Sequence, residues 1–344
     1  MRSANVSWSP PLTRLTPWYP GQFGVPGSDN ERGLRLDANG SVFYVDPNHP
    51  DANANADGTN PEQPLSTVAA ALAKCQAYHN DVIVVSNNSF WTYSSTAAGH
   101  PLPIQEAVTV STPGIRIVGL APSGSLGVPW IPTANSAVCI TVNAMDTLIE
   151  GFNFWESTYS GTTAILAQWS SPTLYGENLT VRHCYFYEMG YGIVLDYAWN
   201  SCIEDCKFDS LDTYAIYNRS TYGDIDHLMV RDCEFQHNAG AIYLPDSDSN
   251  TIQNCLFMDN TLGIVMGVSS SSNIIHSNVI MGTAGGTNNF IDLSGGAGAL
   301  NMVSNNWLGC TVAQYDTTCS PGGGGTDIWC RNHCLNGETT ANPT

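Results

Sequence analysis

The sequence of 344 residues predicts an all-β solenoid, a chain wound into stacked coils of short strands. One motif, Ile/Val-x-x-Cys-x-Phe, occurs four times in the second half of the chain. A second motif, Gly/Ala-Ile followed by Val or Tyr, comes after each copy of the first. Repeats of roughly 20 to 50 residues are typical of solenoids, in which each coil packs against its neighbours. The first motif begins at Val181, Ile203, Val230 and Ile252, and the second at Gly192, Ala215, Ala241 and Gly263.

Each repeat is predicted to contain at least two short strands separated by turns rich in Asn, Ser, Asp and Gly. Strands of adjacent coils lie about 4.8 Å apart, so equivalent side chains stack on one another. We therefore expect the motif cysteines to face inward as free thiols, because neighbouring coils cannot all form disulfides without distorting the stack. A degenerate fifth copy is predicted at Ile274, Ser277 and Val279. The motif cysteines are Cys184, Cys206, Cys233 and Cys255.

The ladder VRHCYF, IEDCKF, VRDCEF and IQNCLF resembles the right-handed parallel β-helix of the pectate-lyase-like superfamily, and in particular its phage members. The segment from Phe43 to Ser86 is similar to the usual opening of that family, in which a loop and an amphipathic cap helix precede the first coil. This resemblance covers roughly residues 42–308. Since the superfamily includes lyases, hydrolases, adhesins and phage spikes, it implies a fold and leaves the function open. The resemblance implies Ser66 as the helix N-cap and a buried stripe of Val68, Leu72 and Cys75.

The chain is expected to form one elongated domain with appendages at both ends. The predicted segments are an extended N-terminal arm (1–33), a hairpin with an Asp/Asn loop and the cap helix (34–80), the parallel β-helix (81–308) and a Gly/Cys-rich tail (309–344).

Charge and hydropathy exclude several classes of partner. The 30 acidic residues against 11 basic ones give a net charge of -19, whereas nucleic-acid binding requires a basic surface. The same charge disfavours an anionic polysaccharide. No apolar run is long enough to cross a bilayer, and the first residues lack the apolar core of a secretory signal. We therefore expect a protein made in a host cytoplasm.

The arm, residues 1–33, contains five prolines among large aromatic residues, including Trp8 and Trp18. Such a segment cannot fold alone, and it is expected to lie on another protein of the same assembly.

A loop rich in Asp and Asn precedes the helix. Its oxygen-bearing side chains have the spacing of a calcium-binding loop, although Ala56 stands where that loop requires glycine. The alternative is a solvated loop without a metal. The candidate ligands are Asp51, Asn53, Asn55, Asp57 and Glu62.

The tail carries four further cysteines in a segment poor in apolar residues. Two disulfides, one zinc site with His333 as a spare ligand, or free thiols are the alternatives. These cysteines are Cys310, Cys319, Cys330 and Cys334.

One outward column contains candidate catalytic groups. Stacking brings Asp205 and Asp232 about 5 Å apart, with His183 on the neighbouring coil, a separation compatible with retaining glycoside hydrolysis or with holding a cation. The alternative is a turn column whose side chains bond to the backbone. The arginine and aspartate elements that the resemblance would imply for pectate lyases and polygalacturonases are absent, although Asp224 to His227 resembles part of a lyase motif. The full predicted column is His183, Asp205, Asp232, Asn254 and His276.

Tyrosines follow the second motif along one wall. Such rings stack on sugars, although tyrosine is also common on sheet surfaces because of its strand propensity. The candidate binding residues are Tyr217 and Tyr243, next to Tyr191 and Tyr214.

Three function classes fit the sequence. The first is a non-enzymatic structural protein of a phage virion, such as a capsid decoration, fibre or spike, anchored to other virion proteins by its arm and open to homotrimer formation. The second is a β-helix enzyme that cleaves a polysaccharide as a lyase or glycoside hydrolase. The third is an adhesin that binds a cell-surface glycan.

Overall fold

The protein is described by a computed structural model. It covers residues 40–86, 103–120, 127–156, 158–171, 175–219, 224–267, 270–282, 289–294, 300–310, 319–320, 327–335 and 337–339. The predicted arm with Trp8 and Trp18, and the first strand of the predicted hairpin, lie outside these residues.

The chain is a right-handed parallel β-helix of about seven turns with three long sheets. Within the described residues sheet A has eleven strands, sheet B ten and sheet C nine, and strands of successive coils pair in parallel. One helix, α1, spans Val68–Leu72, and a small sheet pairs β16 (Ile225–Asp226) with β20 (Ser247–Asp248). No helix in the described part of the chain could span a membrane.

Sheet A contains β1 (Val42–Val45), β2 (Val82–Ser86), β4 (Arg116–Leu120), β7 (Leu148–Glu150), β10 (Thr180–Arg182), β13 (Cys202–Glu204), β17 (Met229–Arg231), β21 (Thr251–Gln253), β24 (Ile274–His276), β27 (Met302–Ser304) and β30 (Ile328–Cys330). Sheet B contains β5 (Val128–Trp130), β8 (Phe152–Trp155), β11 (Tyr185–Tyr187), β14 (Lys207–Asp209), β18 (Glu234–Gln236), β22 (Leu256–Met258), β25 (Val279–Met281), β28 (Trp307–Leu308), β31 (Asn332–Cys334) and the antiparallel β32 (Gly337–Thr339). Sheet C contains β3 (Val108–Val110), β6 (Val138–Val142), β9 (Thr163–Gln168), β12 (Tyr191–Asp196), β15 (Tyr214–Asn218), β19 (Gly240–Leu244), β23 (Leu262–Met266), β26 (Asn289–Asp292) and β29 (Cys319–Ser320).

The predicted inward columns form the core. Val181, Ile203, Val230 and Ile252 pair in register, and the four motif cysteines are each 2% exposed, which confirms their inward placement. The adjacent phenylalanine rings stack with centroids 4.6 to 5.2 Å apart along five coils. The stacked rings are Phe154, Phe186, Phe208, Phe235 and Phe257.

The predicted fifth copy is wrong by one residue. Ile275, not Ile274, pairs with Ile252 and is fully buried, while Ile274 faces outward. The position of the motif cysteine is therefore taken by Asn278, one residue after Ser277. Because side chains alternate along a strand, a shift of one residue exchanges the inward and outward sets.

An asparagine ladder continues the cysteine column. Asn278 Nδ2 donates to the carbonyl oxygen of Ile252 at 3.1 Å, and its Oδ1 accepts from the backbone N of Cys255 at 2.9 Å. Cys255 Sγ makes the corresponding, weaker contact with the carbonyl oxygen of Val230 at 3.8 Å. Both side chains thus satisfy a carbonyl of the preceding coil. The ladder runs through Asn278, Asn306 and Asn332.

A second buried ladder stands at the corner between sheets C and A, and a shorter one joins Asn238 to Asn260. Each side-chain amide accepts a hydrogen bond from a backbone N–H of the preceding coil and donates one to a backbone carbonyl of that same coil, so buried turns keep their hydrogen bonds. The second ladder consists of Asn250, Asn273 and Asn301 and ends on Asp327.

Helix α1 begins one residue later than expected. Its N-cap is Thr67, not Ser66, because Thr67 is extended and its hydroxyl accepts from the backbone N of Ala70 at 3.1 Å. Val68 and Ala71 are its buried residues, whereas Leu72 and Cys75 are partly buried.

Parallel pairing extends beyond the expected range of 81–308, since β1 pairs with β2 and β30 with β27. The tail cysteines therefore belong to the last two coils. Cys319, Cys330 and Cys334 lie in three different sheets, and Cys310 Sγ is 3.9 Å from Cys334 Sγ. Cys310, Cys330 and Cys334 are free thiols, and within the described residues the four tail cysteines do not converge on one site.

Substitution of Cys255 tests the equivalence of thiol and amide in the column. Asn in place of Cys255 should extend the ladder and keep the free energy of unfolding within about 1 kcal/mol of wild type, or raise it. Cys255→Asp, in which the new side chain has the same size as asparagine, should lower it by several kcal/mol because the second oxygen of a buried carboxylate would face the carbonyl oxygen of Val230. Equal losses for the two variants in denaturant titrations would contradict the ladder.

Candidate functional site

The predicted catalytic column forms the turn between sheets A and B. His183, Asp205, Asp232 and Asn254 all have left-handed backbones, with φ between 51° and 55°. Asp, Asn and His tolerate this conformation better than most residues, which explains their recurrence there. On the next coil, Ser277 occupies this turn position, with φ 58°. His276 lies one residue earlier, within strand β24, where it pairs with Gln253 of β21. Placing His276 in this column was therefore wrong.

His183 joins two carboxylates of different coils. Its Nδ1 lies 3.0 Å from Glu150 Oε1, and its Nε2 lies 3.6 Å from Asp205 Oδ2. The Glu150 hydrogen bond raises the pKa of His183, helped by the charges of Glu150 and Asp205. Burial alone would raise the pKa of Glu150, but His183 and Arg182 lower it. Glu150 was not predicted, because its coil lacks the cysteine motif.

Asp232 stands one coil beyond Asp205. In the described residues no hydrogen bond or ion pair joins it to Asp205 or His183. The group that the structure brings together is therefore Glu150, His183 and Asp205, which we call the histidine cluster.

Next to the histidine cluster, charges alternate along sheet A. Arg182 Nη2 lies 2.9 Å from Glu150 Oε2, and Arg231 pairs with Glu204 on the following coils. Arg182 and Glu204 are buried. On sheet B, Lys207 Nζ lies 3.5 Å from Glu234 Oε1. Opposite charges thus lie one coil apart on the outer faces of sheets A and B.

Four aspartates lie in the turns between sheets C and A: Asp224, Asp226, Asp246 and Asp248. Asp226 pairs with Asp248, and burial raises the pKa of Asp226 and Asp246, with further contributions from the neighbouring aspartates. Asp248 Oδ1 accepts from the backbone N of Ser271 at 2.6 Å. Across the described ranges, no three His, Cys, Asp or Glu side chains form a group suited to a metal ion.

The predicted calcium loop forms consecutive turns closed by its own side chains. Asn53 Oδ1 accepts from the backbone N of Asn55, and Asp57 Oδ1 from that of Thr59, each at 2.9 Å. The oxygens of these two side chains are therefore used within the loop. Calcium binding through Asp51, Asn53, Asn55, Asp57 and Glu62 stays a prediction.

Four tyrosines form a continuous aromatic surface on the outside of sheet C, which we call the tyrosine face. Tyr217 and Tyr243 pair on adjacent coils with ring centroids 5.7 Å apart, and Tyr214 stacks against both at 5.4 and 5.1 Å. Tyr191 adds a fourth ring, 5.5 Å from Tyr217. All four are partly exposed. Burial raises the pKa of Tyr214 and Tyr217, so their hydroxyls stay protonated.

Gly240 makes room for this arrangement. It pairs with Tyr214 in the preceding coil, and a Cβ at Gly240 would lie 2.2 Å from ring atoms of Tyr214. The Tyr214 ring therefore leans over the glycine and reaches Tyr243. Beside the face, Arg219 Nη2 is held 2.6 Å from the buried carboxylate of Asp196.

The histidine cluster predicts a pH dependence of stability. Because the folded-state pKa of His183 is raised above 6.5, its contribution is complete below about pH 6.5 and is lost as the pH rises through the folded-state value. The melting temperature of wild type minus that of His183→Asn should therefore fall from pH 5.5 to pH 8.5. His276→Asn is the control, since its Nδ1 contacts the hydroxyl of Ser277 rather than a carboxylate. An equal fall with His276→Asn, or none with His183→Asn, would contradict this account.

Comparison with known proteins supports the fold. The chain is similar to an alginate lyase from Paenibacillus sp., with a TM-score of 0.52 and 13% identity over 80% of this chain and 96% of that one. It is also similar to ORF18 of Geobacillus virus E2, with a TM-score of 0.50 and 12% identity over 85% of this chain, and it spans 62% of that protein. The Dettilon tailspike protein gp208 matches with a TM-score of 0.44 and 12% identity over 86% of this chain and 62% of that one.

At 12 to 13% identity, the likeness to the alginate lyase and to ORF18 shows the fold alone. No curated protein matches the sequence. Residues 173–333 match the family model described as the right handed beta helix region, in agreement with the right-handed parallel β-helix of the structure.

Proposed function

We propose that the protein is a structural component of a phage particle whose β-helix binds a neutral glycan through the tyrosine face. The observation that carries this proposal is the contact of four partly exposed rings over three consecutive coils. Aromatic rings supply a large apolar area together with a polar hydroxyl, which suits the faces and hydroxyl groups of sugars.

The chemistry around the rings favours a neutral ligand. The chain has a net charge of -19, so an anionic polysaccharide would be repelled at long range. Arg219, the cation beside the face, is already paired with Asp196. The rings are packed against one another and against Gly240, so little side-chain freedom is lost on binding.

The phage assignment has separate support. One fold neighbour is a protein of Geobacillus virus E2. The proline-rich and aromatic arm, with Trp8 and Trp18, suits docking onto another virion protein, because proline restricts the unbound chain and aromatic rings supply contact area. In this proposal the arm anchors the chain and the coils project from the particle.

Substitution within the tyrosine face tests glycan binding. Tyr217→Ala should weaken binding of neutral oligosaccharides about tenfold or more, equivalent to roughly 1.4 kcal/mol, in calorimetric titrations against a panel of bacterial surface glycans. Gly240→Ala should have a similar effect by displacing Tyr214. Tyr187→Ala is the matched control, because Tyr187 stacks on Tyr185 in sheet B, away from the face. Unchanged affinity for Tyr217→Ala would refute the site.

The histidine cluster supports a second candidate, cleavage of a polysaccharide. His183 is 54% exposed between two carboxylates, an arrangement that can hold and move a proton.

If the protein depolymerises a glycan at this site, Asp205→Asn and Glu150→Gln should each abolish turnover. Asp232→Asn should not, because the wild-type carboxylate of Asp232 makes no contact with His183. If both Asp205→Asn and Glu150→Gln still cleave the glycan, catalysis lies elsewhere. If wild-type protein cleaves no glycan in the panel, the binding function is favoured.

A further inference from the structure

Two thiols meet at the C-terminal end of the β-helix. Cys310 Sγ lies 3.9 Å from Cys334 Sγ, and the two side chains are 3% and 6% exposed. Cys310 follows strand β28, and Cys334 ends β31 on the next coil. The backbone N of Leu335 donates to the carbonyl oxygen of Cys310 at 2.9 Å, so the two chain segments are held together beside the thiols.

These two cysteines do not stand at equivalent positions of their coils. Trp307 pairs with His333, the residue before Cys334, whereas Cys310 comes three residues after Trp307. Offset positions allow two side chains to point toward each other, as a disulfide requires. The cysteines of the motif column differ, because each Sγ there contacts a carbonyl oxygen of the preceding coil at 3.6 to 3.8 Å.

The other two cysteines of the tail have different surroundings. Cys330 ends strand β30 with its side chain on the outer side of sheet A, because the residue before it is part of the core. Cys334 belongs to the core itself, so the thiols of Cys330 and Cys334 lie on opposite sides of the coil wall. Cys319 belongs to sheet C, where it pairs with Ile291. Cys334 is therefore the tail cysteine that faces Cys310.

The chain between Cys310 and Cys334 indicates what a covalent bond here would do. The two residues lie 24 positions apart, and the segment between them includes four consecutive glycines, Gly322 to Gly325. Such a segment has high conformational entropy in the unfolded chain, and a disulfide that closes it removes part of that entropy. Within the described residues, the coil that contains β30 and β31 has a complete neighbouring coil on one side only, so it gains less from stacking than the inner coils.

We propose that Cys310 and Cys334 form a disulfide once the protein leaves reducing conditions, and that this bond fixes the last coil to the one before it. The oxidant is a small-molecule disulfide such as oxidised glutathione. One cysteine thiolate attacks the oxidant, which forms a mixed disulfide and releases one small thiol. The second cysteine thiolate then attacks the sulfur of the first and releases the second small thiol. The protein gives up two protons and two electrons, and the oxidant becomes two thiols.

Burial controls when this reaction takes place. Burial and the neighbouring thiol of Cys310 raise the pKa of Cys334 to about 12, so the closed coil contains little thiolate at neutral pH. Opening of the last coil exposes the thiols, and the parts of a structure with the fewest buried contacts open most readily. The bond, once formed, is shielded from reductants by the same burial. This inference does not depend on the glycan function.

The test is oxidation of the folded protein followed by peptide mapping. Full-length protein purified with reductant is incubated in excess oxidised glutathione without denaturant, the remaining thiols are alkylated, and the protein is digested without reduction. Combined trypsin and chymotrypsin can separate the four tail cysteines, because they cleave after Leu308, Tyr315, Trp329 and Arg331. A linked pair of peptides containing Cys310 and Cys334 should form, lighter than the two reduced peptides by two hydrogen atoms.

Hydrogen exchange measures the effect of the bond on the last coil. Amides of β30 and β31 should exchange about tenfold or more slowly in the oxidised protein than in the reduced protein, because the bond opposes opening of this coil. Cys310→Ser and Cys334→Ser should each abolish this difference. Since oxidised and reduced samples of the same variant are compared, a general loss of stability does not affect the result. Cys233→Ser, which removes a buried thiol of the motif column, is the matched control and should keep the full difference.

Four results would overturn the proposal. The first is no linked peptide after prolonged incubation with the oxidant, and the second is linkage of Cys310 or Cys334 to Cys319 or Cys330 instead. The third is a linked protein whose last coil exchanges as fast as that of the reduced protein. The fourth is a Cys310→Ser variant that keeps the difference in exchange.

Discussion

The structure depends on one constraint, the stacking of equivalent side chains at the spacing of parallel strands. Each inward residue contacts the corresponding residue of the coils before and after it, so the core is a set of columns. Phe186, Phe208 and Phe235 stack as nearly parallel rings, and the cysteine column runs beside them. A polar side chain enters a column only if it hydrogen bonds along it, as Asn278 and Asn306 do.

The same constraint assigns stability to the inward residues and leaves the outward residues available for function. Inward positions are fixed by their neighbours, whereas outward positions can vary as long as charges and rings on adjacent coils are compatible. Two outward surfaces differ accordingly. The charged coils are held by ion pairs such as Arg182 with Glu150, and the tyrosine face by ring stacking. We place glycan binding on the tyrosine face.

Much of the fold could be predicted because the same motif recurs along the sequence at nearly constant spacing. The recurring Cys and Phe residues indicate the inward columns, and aligning the copies of the motif gives the register of strand pairing. The fifth copy was placed one residue early because Ile274 and Ile275 are both apolar and because Asn278 replaces the cysteine that marked the register. Strand pairing and hydrogen bonding in the structure show that thiol and amide occupy the same position. Ser66 and Thr67 are both good caps, so sequence alone could not separate them.

The candidate sites were harder to predict because they combine residues of different coils. Glu150 lies 33 residues before His183, in a coil without the cysteine motif, so its contact with the imidazole had no signal in the sequence. Gly240 offers a signal in hindsight, since a glycine opposite a tyrosine of the preceding coil leaves space for the ring.

A crystal structure of the protein with a bound neutral oligosaccharide tests the central claim most directly. The account predicts sugar rings lying against Tyr217 and Tyr243, with Tyr214 kept in place over Gly240. Sugar bound instead at His183 and Asp205, with the tyrosine face empty, would contradict it.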